Sequence, residues 1–203
     1  MRHERFRFYD AALSTRPAGL RWGGIASLLT AVLLVASAHP ATAQETPGAF
    51  FESMVGTWIV DTEAIPGPGE DPIRGESREV ARLLGDQWLV AEGNATMPDG
   101  RLYESMWILG WDPHLEQVVG TWVVSIQKRK WDFTGRFDAS GQVLTLETEG
   151  PFMGDPSTLT QYREILEVVD EDHRTLRSLI LVPDEDWFEF ARSDYRRVVS
   201  DEG

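Results

Sequence analysis

The sequence predicts an all-β protein: an antiparallel up-and-down barrel of about ten strands with a short N-terminal helix, preceded by a signal peptide. Three observations carry that expectation. Turn signals recur at Gly85-Asp86, Pro98-Asp99-Gly100, Asp112-Pro113-His114, Gln127-Lys128-Arg129, Ala139-Ser140-Gly141, Gly150 to Pro156, Asp170 to His173 and Pro183 to Asp186. Spacings of roughly 8 to 12 residues between such signals are those of a sandwich or barrel. Between the turns, apolar and polar residues alternate, and alternation puts successive side chains on opposite faces of a strand. Helical segments long enough to cross between parallel strands are missing, which argues against a βαβ fold.

The chain opens on a basic stretch, with Arg2, Arg5, Arg7, Arg16 and Arg21 against Glu4 and Asp10. An uncharged run from Gly23 to Ala38 follows, and then Ala41-Thr42-Ala43. A basic region, an apolar core and a small-x-small site in that order form an export signal. The core is shorter than the roughly 18 to 20 apolar residues of a spanning helix. Cleavage between Ala43 and Gln44 is therefore expected, with delivery to the periplasm or the exterior and no stable membrane insertion after processing. The long basic region leaves an uncleaved signal anchor as the alternative. The expected organisation is 1–43 signal peptide, 44–49 linker and start of the helix, 50–197 barrel and 198–203 tail.

After the signal, Thr46 can cap a helix, Pro47 suits its first position, and Ala49 to Val55 follow before Gly56 ends it. Phe50, Phe51 and Met54 form one apolar stripe, which must bury as a lid or plug on one end of a barrel. Strands are expected near 56–63, 75–84, 87–96, 101–111, 116–125, 130–138, 142–149, 160–169, 174–182 and 187–197. Trp131, Phe133 and Phe137 share one face of theirs, while Asp132, Thr134, Arg136 and Asp138 share the other. Tyr103, Ser105, Trp107, Leu109 and Trp111 likewise fall on one side. Closing such strands into a barrel removes the unpaired edges that invite aggregation. A barrel of about eight strands is filled by side chains or holds one small ligand, so ten leave room for a cavity.

Composition narrows the function. The 203 residues carry a net charge of −14, which argues against nucleic acid as a partner. Removing the signal takes away five arginines and two acids, leaving the domain three charges more negative. With no cysteine, disulfides, thiol nucleophiles, cysteine-bound metals and a lipoprotein anchor are all closed off.

Gly56-Thr57-Trp58 opens the first strand just after the helix, a G-x-W that resembles the calycin group of lipocalins, fatty-acid-binding proteins and nitrobindin-like barrels. The wider pattern resembles the bacterial DUF 1579 family of uncharacterised domains, whose members look like lipocalin-type barrels. It runs through Met54 to Trp58, Pro66-Gly67-Pro68-Gly69, Leu84 to Leu89, Ile108 to Asp112, Val119 to Trp122 and Ala191 to Arg197. The resemblance implies a fold and no established activity. Nitrobindin-like barrels hold haem through a histidine, but His114 and His173, the two beyond the signal, both fall in expected turns. No cofactor or metal is therefore expected. Tyr195-Arg196-Arg197 is similar to the Tyr and Arg with which fatty-acid-binding proteins hold a carboxylate, although a basic last strand in an acidic domain explains it as well.

Seven tryptophans lie on or beside expected strands, either as core or as the wall of a pocket, since ligand pockets are mainly apolar with a few placed polar groups. The candidate ligand-binding set is Trp58, Trp88, Trp107, Trp122 and Trp131 as wall, with Glu92, Arg163 and Tyr195 for a polar group. Glu92 keeps phase with Trp88 and Val90, and Glu164 with Tyr162, Leu166 and Val168. An inward carboxylate needs a partner, for which Arg163, Arg192 and Arg196 are available. The acidic runs Asp170 to Asp172 and Asp184 to Asp186 lack the EF-hand ligand pattern and read as turns.

Catalysis finds little support. There is no G-x-S-x-G, and the two histidines beyond the signal are far apart in sequence. The leading expectation is an exported barrel, monomeric or homodimeric, binding a small hydrophobic or amphipathic ligand. The alternatives are an envelope structural or protein-interaction barrel, and an enzyme using a buried Glu92 or Glu164 of raised pKa.

Overall fold

The computed structural model describes residues 47–199 except 66–69, 97–99 and 184. The expected signal segment and cleavage site between Ala43 and Gln44, the expected Thr46 cap, the Pro66 to Gly69 stretch and the last four residues lie outside the described residues. A helix α1 (Pro47–Met54) leads into ten strands. These are β1 (Gly56–Ala64), β2 (Ile73–Leu84), β3 (Trp88–Thr96), β4 (Leu102–Asp112), β5 (Gln117–Val124), β6 (Trp131–Phe137), β7 (Val143–Phe152), β8 (Asp155–Asp170), β9 (His173–Leu181) and β10 (Trp187–Arg197).

Each strand pairs antiparallel with its neighbours in sequence, and β1 pairs with β10 from Trp58↔Arg197 to Ala64↔Ala191, so the sheet closes on itself. The expected up-and-down barrel is the observed one. Two strands run longer than expected, because the Gly150 to Pro156 stretch is mostly sheet: β7 continues to Phe152 and β8 begins at Asp155. His173 likewise opens β9 instead of sitting in a turn.

The up-and-down path puts α1 at one end of the barrel, together with the β2–β3, β4–β5, β6–β7 and β8–β9 turns. The stripe of α1 works as the sequence predicts. Phe50, Phe51 and Met54 are buried against Ala81, Leu89, Leu109, Val118, Phe133, Leu144 and Leu146. Phe50 meets Phe137 edge to face at 5.0 Å between ring centres. This end is therefore a packed core.

The helix is tied down from behind. The Trp58 indole N–H donates to the Met54 carbonyl at 3.0 Å. Arg197, arriving on the last strand, donates to the carbonyls of Ser53 and Val55, which α1 leaves without intrahelical partners. Gly56 sits at this joint with φ near 137°, and a Cβ there would overlap Arg197 Nη1. Only glycine combines that backbone with that approach.

Candidate functional site

The other half of the barrel is hollow. Inward positions of its strands carry small residues, among them Ser77, Gly93, Ser105, Thr148, Ser178, Ala191 and Ser193, and the space they leave is a cavity of about 750 Å³. One wall is aromatic. Trp107 packs 5.9 Å from Trp122 and 5.0 Å from Phe133, while Trp131 meets Tyr162 edge to face at 5.1 Å.

Trp131 is held flat against the barrel by three neighbours. Its indole N–H donates to Gln127 at 2.9 Å, and the Arg129 guanidinium lies 5.1 Å from its ring centre. Beneath it is Gly150, where a Cβ would overlap the ring. A larger residue at 150 would push the indole into the cavity.

The opposite wall is polar. Glu164 on β8 lies across from Ser178 on β9, and the Ser178 hydroxyl donates to Glu164 Oε2 at 2.5 Å. That is the only hydrogen bond of the Glu164 carboxyl among the described residues, and no cation pairs with it. Burial pushes its pKa up to about 8, against the opposing effect of Ser178. Glu164 is therefore a neutral carboxylic acid at neutral pH.

Tyr103 and Tyr195 also line this space, and burial raises the pKa of both phenols. Tyr162 is raised by burial as well, and its hydroxyl donates to the Pro151 carbonyl.

Below the cavity floor lies a buried ion pair between Glu79 and Arg174. The Arg174 guanidinium lies 4.4 Å from the ring centres of both Trp58 and Tyr195. Its Nε and Nη1 have no hydrogen-bond partner among the described residues, which leaves cation–π contact and the one carboxylate as the compensation seen there. Glu79 reaches the cavity from below, where it is already paired with Arg174.

The expected ligand set separates into three groups. Trp107, Trp122, Trp131 and Tyr195 line the cavity. Trp58 points inward but is 1% exposed in the packed half, held between helix and arginines, and so does not reach the cavity. Trp88, Glu92 and Arg163 are on the outer face. On β3 the inward residues are Leu89, Ala91 and Gly93, so Trp88 and Glu92 point outward, with the Trp88 ring lying over Gly110 of β4. Arg163 is one residue out of phase with Glu164; it pairs with Glu147 at 2.7 Å and lies 4.2 Å over the Trp187 ring.

The expected buried carboxylate of raised pKa is thus Glu164, and it is held by a serine instead of an arginine. Phase put forward Glu92 and Glu164 alike, and only the cross-strand register separated them, turning Glu92 outward and setting Glu164 against Ser178.

Other expectations resolve simply. Asp170 accepts the Asp172 N–H at 2.9 Å in the β8–β9 turn, and Asp172 pairs with Arg197. His173 bonds Asp194 at 2.8 Å on the outer face, and His114 sits in the turn held by Asp112. Among the described residues no helix is long and apolar enough to cross a membrane.

Comparison with known structures agrees with the fold. The M. tuberculosis protein Rv2717c aligns with a TM-score of 0.53 at 13% identity, over 76% of this chain and 99% of that one. The S-type phycobiliprotein lyase CPES from Guillardia theta aligns with a TM-score of 0.50 at 14% identity, over 75% of this chain and 92% of that one. At such identities the likeness is one of fold. No curated protein matches the chain significantly. One family model matches, over residues 44–197; its description is a protein of unknown function, DUF1579.

Proposed function

This chain belongs to the DUF1579 family of proteins of unknown function, and on that premise we propose that its barrel binds a small hydrophobic or amphipathic molecule. The observation that carries the reading is the cavity of about 750 Å³, with Trp107, Trp122 and Trp131 on one wall and hydroxyls and a carboxyl on the other. Its volume falls in the range of roughly 300 to 1,000 Å³ typical of small-molecule sites, and its lining is mainly apolar with a few convergent polar groups. A barrel built only as a scaffold would gain stability by filling that space, since voids forfeit dispersion contacts.

The aromatic wall suits a flat or extended apolar body, and the polar wall orients it. Lys128 and Arg129 at the β5–β6 loop border the mouth and are the cations nearest an arriving ligand. Export by the residues before Gln44 makes the protein a periplasmic or extracellular carrier.

Titration with the fluorophore N-phenylnaphthylamine tests the reading. Saturable enhancement of its emission with quenching of tryptophan is expected, together with loss of both on Trp107→Ala. No saturable signal from the folded protein overturns it. For export, the intact mass of protein recovered from its own host is expected to correspond to a chain beginning at Gln44. A mass that includes the first 43 residues refutes cleavage.

A further inference from the structure

We infer that Glu164 is a specificity determinant of this cavity, acting as a hydrogen-bond donor that selects an uncharged ligand group with an acceptor oxygen, such as a ketone, amide or ester carbonyl. The inference rests on the ligand-binding reading above and adds the chemistry at the polar wall.

Geometry gives Glu164 one partner and one free position. Oε2 accepts from Ser178, and Oε1 has no hydrogen bond among the described residues although the side chain faces the cavity. A buried carboxyl whose second oxygen finds no protein partner pays a desolvation penalty that water or a ligand must relieve.

Which partner it takes depends on its proton, and the charges around it decide that. From β2, Glu79 approaches as a carboxylate bound to Arg174 of β9, so that arginine is not available to Glu164. From β10 and β4 come Tyr195 and Tyr103, and from its own strand Tyr162, all phenols raised by burial. The arginines flanking it on the outer face are engaged elsewhere: Arg163 with Glu147 and Arg177 with Glu189. Lys128 and Arg129 stand at the mouth, with Arg129 donating to the Glu149 carbonyl. Apart from the Ser178 hydroxyl, whose effect burial outweighs, no group of the inner wall among the described residues stabilises an anion at Glu164, so the carboxyl keeps its proton and presents an O–H.

A donor enclosed by an aromatic box fits a carbonyl on an apolar body. A ligand bearing a carboxylate gains a hydrogen bond here but loses its own hydration without a cation in compensation. An amine would instead draw the proton from Glu164 and compete with the mouth cations on entry.

The test compares two neutral fluorophores of similar size: prodan, a naphthalene ketone whose emission shifts to the red when its carbonyl accepts a hydrogen bond, and N-phenylnaphthylamine, which has no carbonyl. On wild type, prodan affinity is expected to fall roughly tenfold or more between about pH 6.5 and about pH 9.5, with a blue shift of the bound emission, as the Glu164 proton is lost. Glu164→Gln keeps a neutral donor and is expected to bind prodan with a flat profile across that range. Glu164→Leu removes the donor and is expected to weaken prodan roughly five- to tenfold at the lower pH.

N-phenylnaphthylamine affinity should change little across all three proteins, and its binding reports that each variant is folded. Parallel pH profiles for both dyes, or a prodan profile in Glu164→Gln that still falls, overturns the inference and leaves the ligand-binding reading standing. Failure of both dyes to bind overturns the reading itself.

Discussion

The guanidinium of Arg197 lies 4.2 Å from the centre of the Trp58 ring while its Nη2 donates to the Ser53 carbonyl at 2.9 Å. One side chain thereby joins the last strand, the first strand and the C-terminal end of α1, and its positive charge sits where the helix dipole is negative. Arg197→Ala is expected to destabilise the protein by about 2 to 4 kcal/mol through lost carbonyl bonds and cation–π contact. Arg197→Lys should recover only part, because an ammonium cannot span the same carbonyls while lying flat on an indole. Urea unfolding monitored by tryptophan fluorescence checks both.

Glu79 and Arg174 form a buried pair, and two guanidinium nitrogens of Arg174 find no hydrogen-bond partner among the described residues. Removing one partner strands the other in a medium that solvates it poorly. Glu79→Ala is expected to cost about 3 to 5 kcal/mol, and the double replacement Glu79→Leu with Arg174→Met less than that single change. A double-mutant cycle measured by denaturation decides it; strictly additive losses would contradict the pairing.

Trp131 and Gly150 predict a defect in binding larger than the defect in stability. Gly150→Ala forces the indole off the wall. The expected result is a destabilisation of about 1 to 3 kcal/mol from overpacking, with N-phenylnaphthylamine affinity reduced roughly tenfold as the ring enters the cavity.

Inner and outer tryptophans should separate cleanly. Trp107→Ala is expected to abolish saturable dye binding, whereas Trp88→Ala leaves affinity unchanged and costs roughly 1 kcal/mol of stability, since Trp88 only covers Gly110 from outside. Equal effects on binding would place the site elsewhere.

Stability should carry a pH signature from Glu164. Its carboxyl has a pKa of about 8 when folded, above the ordinary value in the unfolded chain. The folded state therefore holds more protons than the unfolded one between those values. The contribution of Glu164 is fully present below its unfolded pKa and declines as pH rises toward about 8, beyond which the loss is complete. Relative to wild type, Glu164→Gln is expected to gain roughly 2 to 4 kcal/mol between about pH 4 and about pH 9, allowing for partial access of cavity water. Chemical denaturation of both proteins across that range measures the difference, and a constant gap would contradict it.

Much of this architecture is legible in local patterns. Turn residues and alternation marked every strand to within a few residues, except where β7 and β8 run on through a stretch rich in Gly and Pro. There the turn chemistry of Gly150 is misleading, because that glycine serves close packing under Trp131 instead of a reversal. The apolar stripe of α1 announced a plug because a helix of two turns has nowhere else to bury three large side chains.

The site was less legible. Alternation divides a strand into two faces without saying which is inside. Along β3 the bulkier face, Trp88 and Val90, is the outer one, and the small residues Ala91 and Gly93 face inward. The cavity exists because many inward positions are small, and smallness at one position is not a signal until the strands are set side by side.

By itself, then, the sequence determined the strand count, the antiparallel order and the plug, since each follows from neighbours a few residues apart. Only the tertiary structure decided which tryptophans meet a ligand and which carboxyl keeps its proton. Those properties depend on register across strands: Glu164 faces Ser178, Trp131 covers Gly150, and Arg174 is claimed by Glu79, 95 residues away.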